Sequence, residues 1–238
     1  MTRRKGIAAL ACALVLALPA LALARAAAVP KPTALYLFGG RMIRAEVGLK
    51  TADRTLHDFR IDRGRLTKRY AAGALTLAER DGTKVTIKVA ASAHVVLSAK
   101  GSNLRALRAG MQVAVPRDGD LPADTVYASG PRGTPKIPYT LVSSLLGGRM
   151  LRAEIALKSA DNVLHDYLLD RGRIRQVNGT TVVIREGDGT VVSVPVSPFA
   201  RVKLNGKSAS YAQLRRGMTA TTMRDGDKPA DQVWASGR

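Results

Sequence analysis

The chain contains one unit written twice. Gly39-Gly40-Arg41-Met42 returns as Gly147-Gly148-Arg149-Met150, and 18 of the 28 positions from Gly39 to Leu66 are identical to Gly147–Ile174. The tails repeat as well: Arg117–Gly130 matches Arg224–Gly237 at 11 of 14 positions. The offset falls from 108 to 107 between these blocks, which places a one-residue length difference in the loop at 68–73. Such a period is far longer than that of solenoid repeats, whose units cannot fold alone. A unit of this size can bury a small core of its own. Tandem domains are therefore expected: residues 29–130, a linker at 131–138 (PRGTPKIP), and residues 139–238. The prolines make that linker semi-rigid.

Within a unit the hydrophobic period is two, the period of half-buried strands. Ile43, Ala45, Val47 and Leu49 share one face, with Arg44, Glu46 and Lys50 on the other, and Leu151, Ala153, Ile155 and Leu157 repeat the inner row. The following segment sets Thr55, His57, Phe59 and Ile61 against Leu56, Asp58, Arg60 and Asp62. Further strands are expected at Thr180–Glu186, Thr190–Val196, Val202–Leu204, Met218–Arg224 and Asp231–Ala235, separated by Gly187-Asp188-Gly189, Asn205-Gly206 and Asp225-Gly226-Asp227 turns. Ser102–Gly110 and Ser210–Gly217 read as one short helix per unit, with Ser at the start and Gly past the end. The expected fold is mainly β: two tandem small β-barrel or sandwich units, each with a leading hairpin and one short helix.

The charges fix the register of that hairpin. Inner faces coincide only if paired positions sum to an even number. A sum of 106 places Arg44 opposite Asp62 and Glu46 opposite Arg60, whereas 104 places Arg44 opposite Arg60. Cross-strand pairs favour opposite signs by roughly 0.2–1 kcal/mol, so 106 is expected, with Ala52-Asp53-Arg54 as the loop. In the second copy Arg152 then faces Asp170, and Leu168 stands opposite Glu154.

Gly172-Arg173-Ile174, Asp188-Gly189-Thr190, Val202–Gly206, Leu214–Met218 and Pro229–Val233 together resemble a small barrel domain of unknown function found in exported bacterial proteins. That domain is similar in outline to oligonucleotide/oligosaccharide-binding folds. The resemblance leaves the leading hairpin, Gly39–Asp62, outside. It implies a barrel and brings no ligand or catalytic residue.

Residues 1–28 have the layout of a secretory signal peptide: a basic MTRRK start, an apolar run from Ile7 to Ala24, and small-residue cut sites at Ala22-Leu23-Ala24 or Ala26-Ala27-Ala28. An uncleaved membrane anchor is the alternative. The expected location is extracytoplasmic, with no transmembrane segment after cleavage. Cys12 is the sole cysteine, so the processed chain has no disulfide and no thiol nucleophile or Cys-based metal site.

The twice-written His57-Asp58 and His165-Asp166 dipeptides invite a catalytic reading. Neighbours on a strand point to opposite faces, so a dipeptide cannot close on itself as a dyad. His57 is expected inside, facing Leu49, as a hydrogen-bonded packing residue. Imidazoles meeting carboxylates at an open pocket would argue the other way. His94 is replaced by Arg201 in the second copy, which leaves no histidine metal site. Asp62-Arg63-Gly64-Arg65 reads as a strand end with a bulge or turn. Asp118, Asp120 and Asp124, with Asp225, Asp227 and Asp231, lack the bidentate Glu of a calcium loop and read as turns. With few histidines, no G-x-S-x-G and no phosphate-cradling loop, no enzyme activity and no cofactor is expected.

Charge supplies the functional expectation. Residues 29–238 carry 34 Lys+Arg against 18 Asp+Glu, a net of +16. Such a field attracts polyanions, and for an exported chain these are anionic envelope polymers or lipid surfaces. Candidate anion contacts are Arg63, Arg65, Arg171 and Arg173, with Arg105, Arg108, Arg215 and Arg216 on the short helices. A structural or protein-interaction role is the alternative, in which the leading hairpin docks on an envelope protein or on the other repeat. Nucleic acid comes third, because base stacking needs exposed aromatics and most of the ten aromatics fall on inner or closing strands.

Overall fold

A computed structural model describes residues 27–71 and 73–237, so most of the expected signal segment, with Cys12, lies outside the described residues. The fold is mainly β. Strands β1 (Met42–Lys50), β2 (Leu56–Tyr70), β3 (Ala74–Ala78), β4 (Lys84–Leu97), β5 (Lys100–Ser102), β6 (Gln112–Asp118) and β7 (Ala123–Ser129) form the first unit. The second repeats them as β8 (Met150–Lys158), β9 (Leu164–Asn178), β10 (Thr181–Glu186), β11 (Val191–Leu204), β12 (Lys207–Ala209), β13 (Thr219–Asp225) and β14 (Ala230–Ser236).

Each unit closes a barrel. In the first, the ring runs β2-β3-β4-β7-β6 and returns to β2; in the second, β9-β10-β11-β14-β13 returns to β9. Closure works because β4 and β11 are long and bulged. The first half of β4 pairs antiparallel with β3, and the second half pairs in parallel with β7. The sequence suggests two short strands where β11 is one, Val191–Leu204, kinked where its register shifts between Val196 and Arg201. Each barrel has its own aliphatic core. Leu66, Leu75, Leu77, Ile87, Val113 and Val126 fill one, and Ile174, Val182, Ile184, Val194, Leu214 and Val233 the other.

The expected strand end at Asp62–Arg65 is not one. Strand β2 runs unbroken from Leu56 to Tyr70, pairing first with β1 and then with β3, while β6 lines its other side. Gly64 is needed for close approach: a Cβ there would sit 2.6 Å from the Ala78 carbonyl oxygen, and at Gly172 2.2 Å from that of Arg185. The glycines let the next strand cross tightly where the flat hairpin bends into the barrel.

Between the barrels lies a sheet to which both copies contribute, β2-β1-β8-β9. The register is the expected one, with Arg44 opposite Asp62, Glu46 opposite Arg60, Arg152 opposite Asp170 and Glu154 opposite Leu168. The hairpins then join to each other. In β1–β8 pairing Glu46 meets Glu154, and Ala45–Ile155 and Val47–Ala153 flank them. Each glutamate meets its own counterpart, so the copies are related by a pseudo-twofold axis through this pair.

Two helices cover the inner face, α1 (Lys31–Leu37) and α2 (Tyr139–Leu145). Each begins after a proline, Pro30 or Pro138, and at only seven residues gives little periodic signal. Ala34, Leu37 and Phe38, with Val142, Leu145 and Leu146, put one apolar face of each helix on Met42, Val47, Met150, Ile155 and Leu157. Gly39 and Gly147 end the helices, because a Cβ would lie 2.8 Å from Leu35 O and 2.7 Å from Ser143 O. The expected helices at 102–110 and 210–217 are single 3₁₀ turns, Leu104–Ala106 and Tyr211–Gln213.

This third core belongs to neither repeat alone. Replacing Ile155, fully buried beneath both helices, by Ala should cost about 2–5 kcal/mol. Calorimetry should show one cooperative transition moving to lower temperature. Two separable transitions, only one of them shifted, would mean that the barrels unfold independently.

Candidate functional site

The outer face of the shared sheet carries charge, and the barrels supply counter-charges at its edges. Arg44 on β1 reaches Glu79, just past β3, at 3.3 Å, and also Asp81 in the turn before β4. Arg152 on β8 repeats this with Glu186, at 2.9 Å from its Nε, and with Asp188. Arg60 binds Asp58 at 2.7 Å, Asp120 at 3.0 Å and Glu46 at 3.4 Å. The strand partner expected to neutralise Arg44, Asp62, is instead paired by Arg117 of β6. Register and ion pairing differ here because the barrel wall brings a closer guanidinium to Asp62.

Glu79 and Glu186 are nearly closed off from solvent, at 6% and 3% exposure, and one oxygen of each, Oε1, has no hydrogen-bond partner. Burial pushes the Glu79 carboxyl up to about 7, with Asp62 and Asp81 adding to the rise against Arg44 and Arg117. Burial raises Glu186 too, with Arg152 opposing.

The histidines lie where expected, His57 opposite Leu49 and His165 opposite Leu157. Both nonetheless meet a carboxylate, supplied by the barrel and not by the dipeptide. His57 Nδ1 is 2.6 Å from Asp118 Oδ2, and His165 Nδ1 is 3.0 Å from Asp225 Oδ2. His165 Nε2 is also 3.2 Å from Ser159 Oγ. That hydroxyl serves the hairpin turn, bonding Asp161 and the Val163 carbonyl, just as the hydroxyl of its counterpart Thr51 bonds Asp53 and the Thr55 carbonyl. His165 stacks on Tyr167, which meets Tyr36 of α1 edge-on. The pairs staple the hairpin of each unit to its barrel. His57 also borders a cleft of about 390 Å³ on the shared sheet, with Glu46, Asp58, Arg152 and Glu154, but neither its partner Asp118 nor the His165–Asp225 pair lines it, so the two pairs do not meet at one open pocket.

The eight candidate arginines divide into two sets. Arg63 and Arg171 are not surface groups: each is 5% exposed. Arg63 donates to the carbonyls of Gly39 and Pro135, and Arg171 to the Ala27 carbonyl and the Thr221 hydroxyl. Ala27 and Pro135 are counterparts at offset 108, so each barrel's arginine holds the segment that enters the other copy's helix. Sequence alone hides this exchange, since alternation marks neither residue as inward on a strand expected to end there.

The other six, Arg65, Arg105, Arg108, Arg173, Arg215 and Arg216, are exposed. Among the described residues none of them lies within ion-pair distance of a carboxylate. Arg108 and Arg215 fold back on their own 3₁₀ turns, donating to the carbonyls of Arg105 and Leu107 or of Ala212 and Leu214. Arg173 Nε donates to the Gly217 carbonyl at 3.0 Å.

Two grooves, one in each unit, gather part of this set. One of about 660 Å³ is bordered by Arg69, Tyr70, Asn103 and Arg105, and one of about 610 Å³ by Arg175, Gln176, Arg215 and Arg216. No carboxylate lines either groove. The sequence reading missed Arg69 and Arg175, which follow the barrel bend on strands it had ended early. No helix among the described residues is long and apolar enough to cross a membrane. Comparisons with protein-family models, curated proteins and solved structures return no match for the chain.

Because its pKa is raised, Glu79 contributes stability that is complete below its ordinary value of 4.5 and lost as pH rises through about 7. Thermal unfolding should therefore show the native state losing stability between pH 5 and 8. Glu79→Gln should flatten that slope and melt higher than the parent at pH 8. An unchanged slope would show that Glu79 keeps an ordinary pKa.

Proposed function

We propose that the protein is an exported, non-enzymatic module that binds anionic polymers of the cell envelope through the two arginine-lined grooves. One observation carries this reading: the acidic side chains concentrate at the shared sheet and the turns beside it, while the grooves hold arginines with no carboxylate among their lining residues. Unpaired guanidiniums at a surface retain their full attraction for phosphate or carboxylate. Each copy carries one such groove, so one polymer chain long enough to engage both would bind with avidity beyond either site.

The barrel order supports the same class. Numbered along each barrel, the strands run 1-2-3-5-4-1 with strands 3 and 5 parallel. That order is consistent with the oligonucleotide/oligosaccharide-binding outline that the sequence resembles. Such folds use the loop between strands 1 and 2 for ligands, and the first groove includes Ala71 and Gly73 of that loop with Tyr70 at the end of the strand before it. An aromatic ring here, Tyr70 at 39% exposure with Lys68 over its face at 4.5 Å, offers a stacking surface for a sugar or base.

Retention on beads carrying polyphosphate or an acidic polysaccharide should be strong at low salt and lost by about 0.5 M, where screening is nearly complete. Substituting Arg69, Arg105, Arg175 and Arg216 together by Ala should shift elution to clearly lower salt without lowering the melting temperature. Unchanged elution would overturn the reading.

Export adds a separate expectation. Ala27 is fully buried and its carbonyl accepts from Thr221 at 2.7 Å as well as from Arg171. A cut after Ala28 would remove the carbonyl that both donors share, and a cut after Ala24 would keep it. N-terminal sequencing of the secreted protein should therefore begin at Arg25, and a start at Val29 would contradict this.

A further inference from the structure

The two copies differ at the lip of one cavity, in residues that change its walls. In the second copy the β11–β12 turn is Asn205-Gly206, at φ of 51° and 81°. Asn-Gly is the preferred pair for such a turn. The Asn205 side chain also clamps the end of β14: its Nδ2 donates to the Gly237 carbonyl at 3.0 Å, and its Oδ1 accepts from the Gly237 amide at 3.1 Å.

In the first copy the same turn is Ser98-Ala99, held at φ of 49° and 67° without a glycine or an asparagine. Two non-glycine residues in the left-handed region cost stability. No hydrogen bond joins Ser98 to Gly130, the counterpart of Gly237. A cavity of about 1030 Å³ opens there instead, bordered by Ser98, Ala99, Val96, Tyr127, Gly130 and the linker.

The wall chemistry differs as well. Val96 stands where the second copy has Lys203, so the wall is apolar in one copy and charged in the other. Val96 pairs with Tyr127, a ring packed on the shared core. The linker is no loose tether: Gly133 donates to Gly130 O at 2.9 Å, and Arg63 and Gln112 hold Pro135 and Pro131. It brings Arg132 and Lys136 to the rim, and no carboxylate lines the cavity. Its size suits small-molecule sites, which combine apolar walls with a few polar groups that orient the ligand.

We infer that this cavity binds a single-chain anionic amphiphile, with its apolar chain along Val96, Ala99 and Tyr127 and its carboxylate or phosphate on Arg132 and Lys136. The observations behind it are separate from those behind the polymer-binding proposal, since none of the groove arginines lines this cavity.

Calorimetric titration of the processed chain with dodecanoate and with dodecyl phosphate, both below micelle formation, tests it. At least one should bind with a stoichiometry near one, and the stronger identifies the head group. Dodecyltrimethylammonium should not bind. Val96→Lys, which installs the second copy's residue at a partly exposed strand position, should abolish binding. Arg132→Ala with Lys136→Ala should weaken it about tenfold, near the loss of one charge-assisted contact. Ser98→Asn with Ala99→Gly should raise the melting temperature while weakening binding. Val96→Lys should leave elution from polyphosphate beads unchanged, and the groove quadruple variant should leave dodecanoate binding unchanged, so the two ideas fail separately. Equal binding of the cationic amphiphile, undiminished binding in Val96→Lys, or no binding of either anion would overturn the assignment.

Discussion

Strand β1 pairs with β8, and the remaining architecture follows from that contact. Each leading hairpin would otherwise expose an edge with unpaired amides and carbonyls, open to aggregation. Pairing the two edges about a pseudo-twofold axis satisfies both at once and makes the inner faces continuous. That enlarged face, with Ala45, Val47, Ala153 and Ile155 at its centre, is too wide for one short helix, and α1 and α2 together cover it. The buried arginines reinforce the arrangement across the axis. Arg63 holds the linker of the second copy and Arg171 the first copy's leading segment. The repeats are thus interlocked, though each barrel closes by itself.

The same symmetry has a cost, which it places on the outer face. Glu46 and Glu154 meet on the axis, and like charges directly opposite are destabilising. Arg60 reaches Glu46, but its counterpart is Leu168, so Glu154 has no such neighbour on its own hairpin. The carboxylates flanking the axis, Glu79 and Glu186, are buried against Arg44 and Arg152. Each carboxyl is buried while its arginine stays partly exposed and keeps a second acid, Asp81 or Asp188, so the pairs add little net stability. Here they tie each barrel's hairpin turn to the strand that forms the shared sheet, and so fix the angle at which barrel and sheet meet.

The sequence made the duplication, the two-residue period and the hairpin register readable because each rests on local spacing or on charges a few residues apart. Arg44 opposite Asp62 needed only the sign of neighbouring side chains. What it concealed depends on distant segments. Gly64 looked like a turn because its role, admitting the Ala78 carbonyl, involves a strand crossing above it. Arg63 and Arg171 looked like surface groups because each binds a carbonyl, of Pro135 or Ala27, in the segment that leads into the other copy. Helices of seven residues fall below the length at which a 3.6-residue period stands out. The histidines were placed on the correct face, but Asp118 and Asp225, some sixty residues away in sequence, could not be foreseen as their partners.

A duplicated chain supplies its own comparison. Where the copies agree, in the Gly39-Gly40-Arg41 and Arg117-Asp118-Gly119 blocks, the shared residues close barrels, end helices and staple hairpins. Divergent positions run throughout the barrel strands, and some of them change the walls of one cavity. Val96 against Lys203, His94 against Arg201, and Ser98-Ala99 against Asn205-Gly206 fall around one cavity. A strained turn that a Gly would relax is retained beside it. There the first copy combines an apolar wall and a strained turn with two linker cations at the rim, the asymmetry on which the amphiphile site rests.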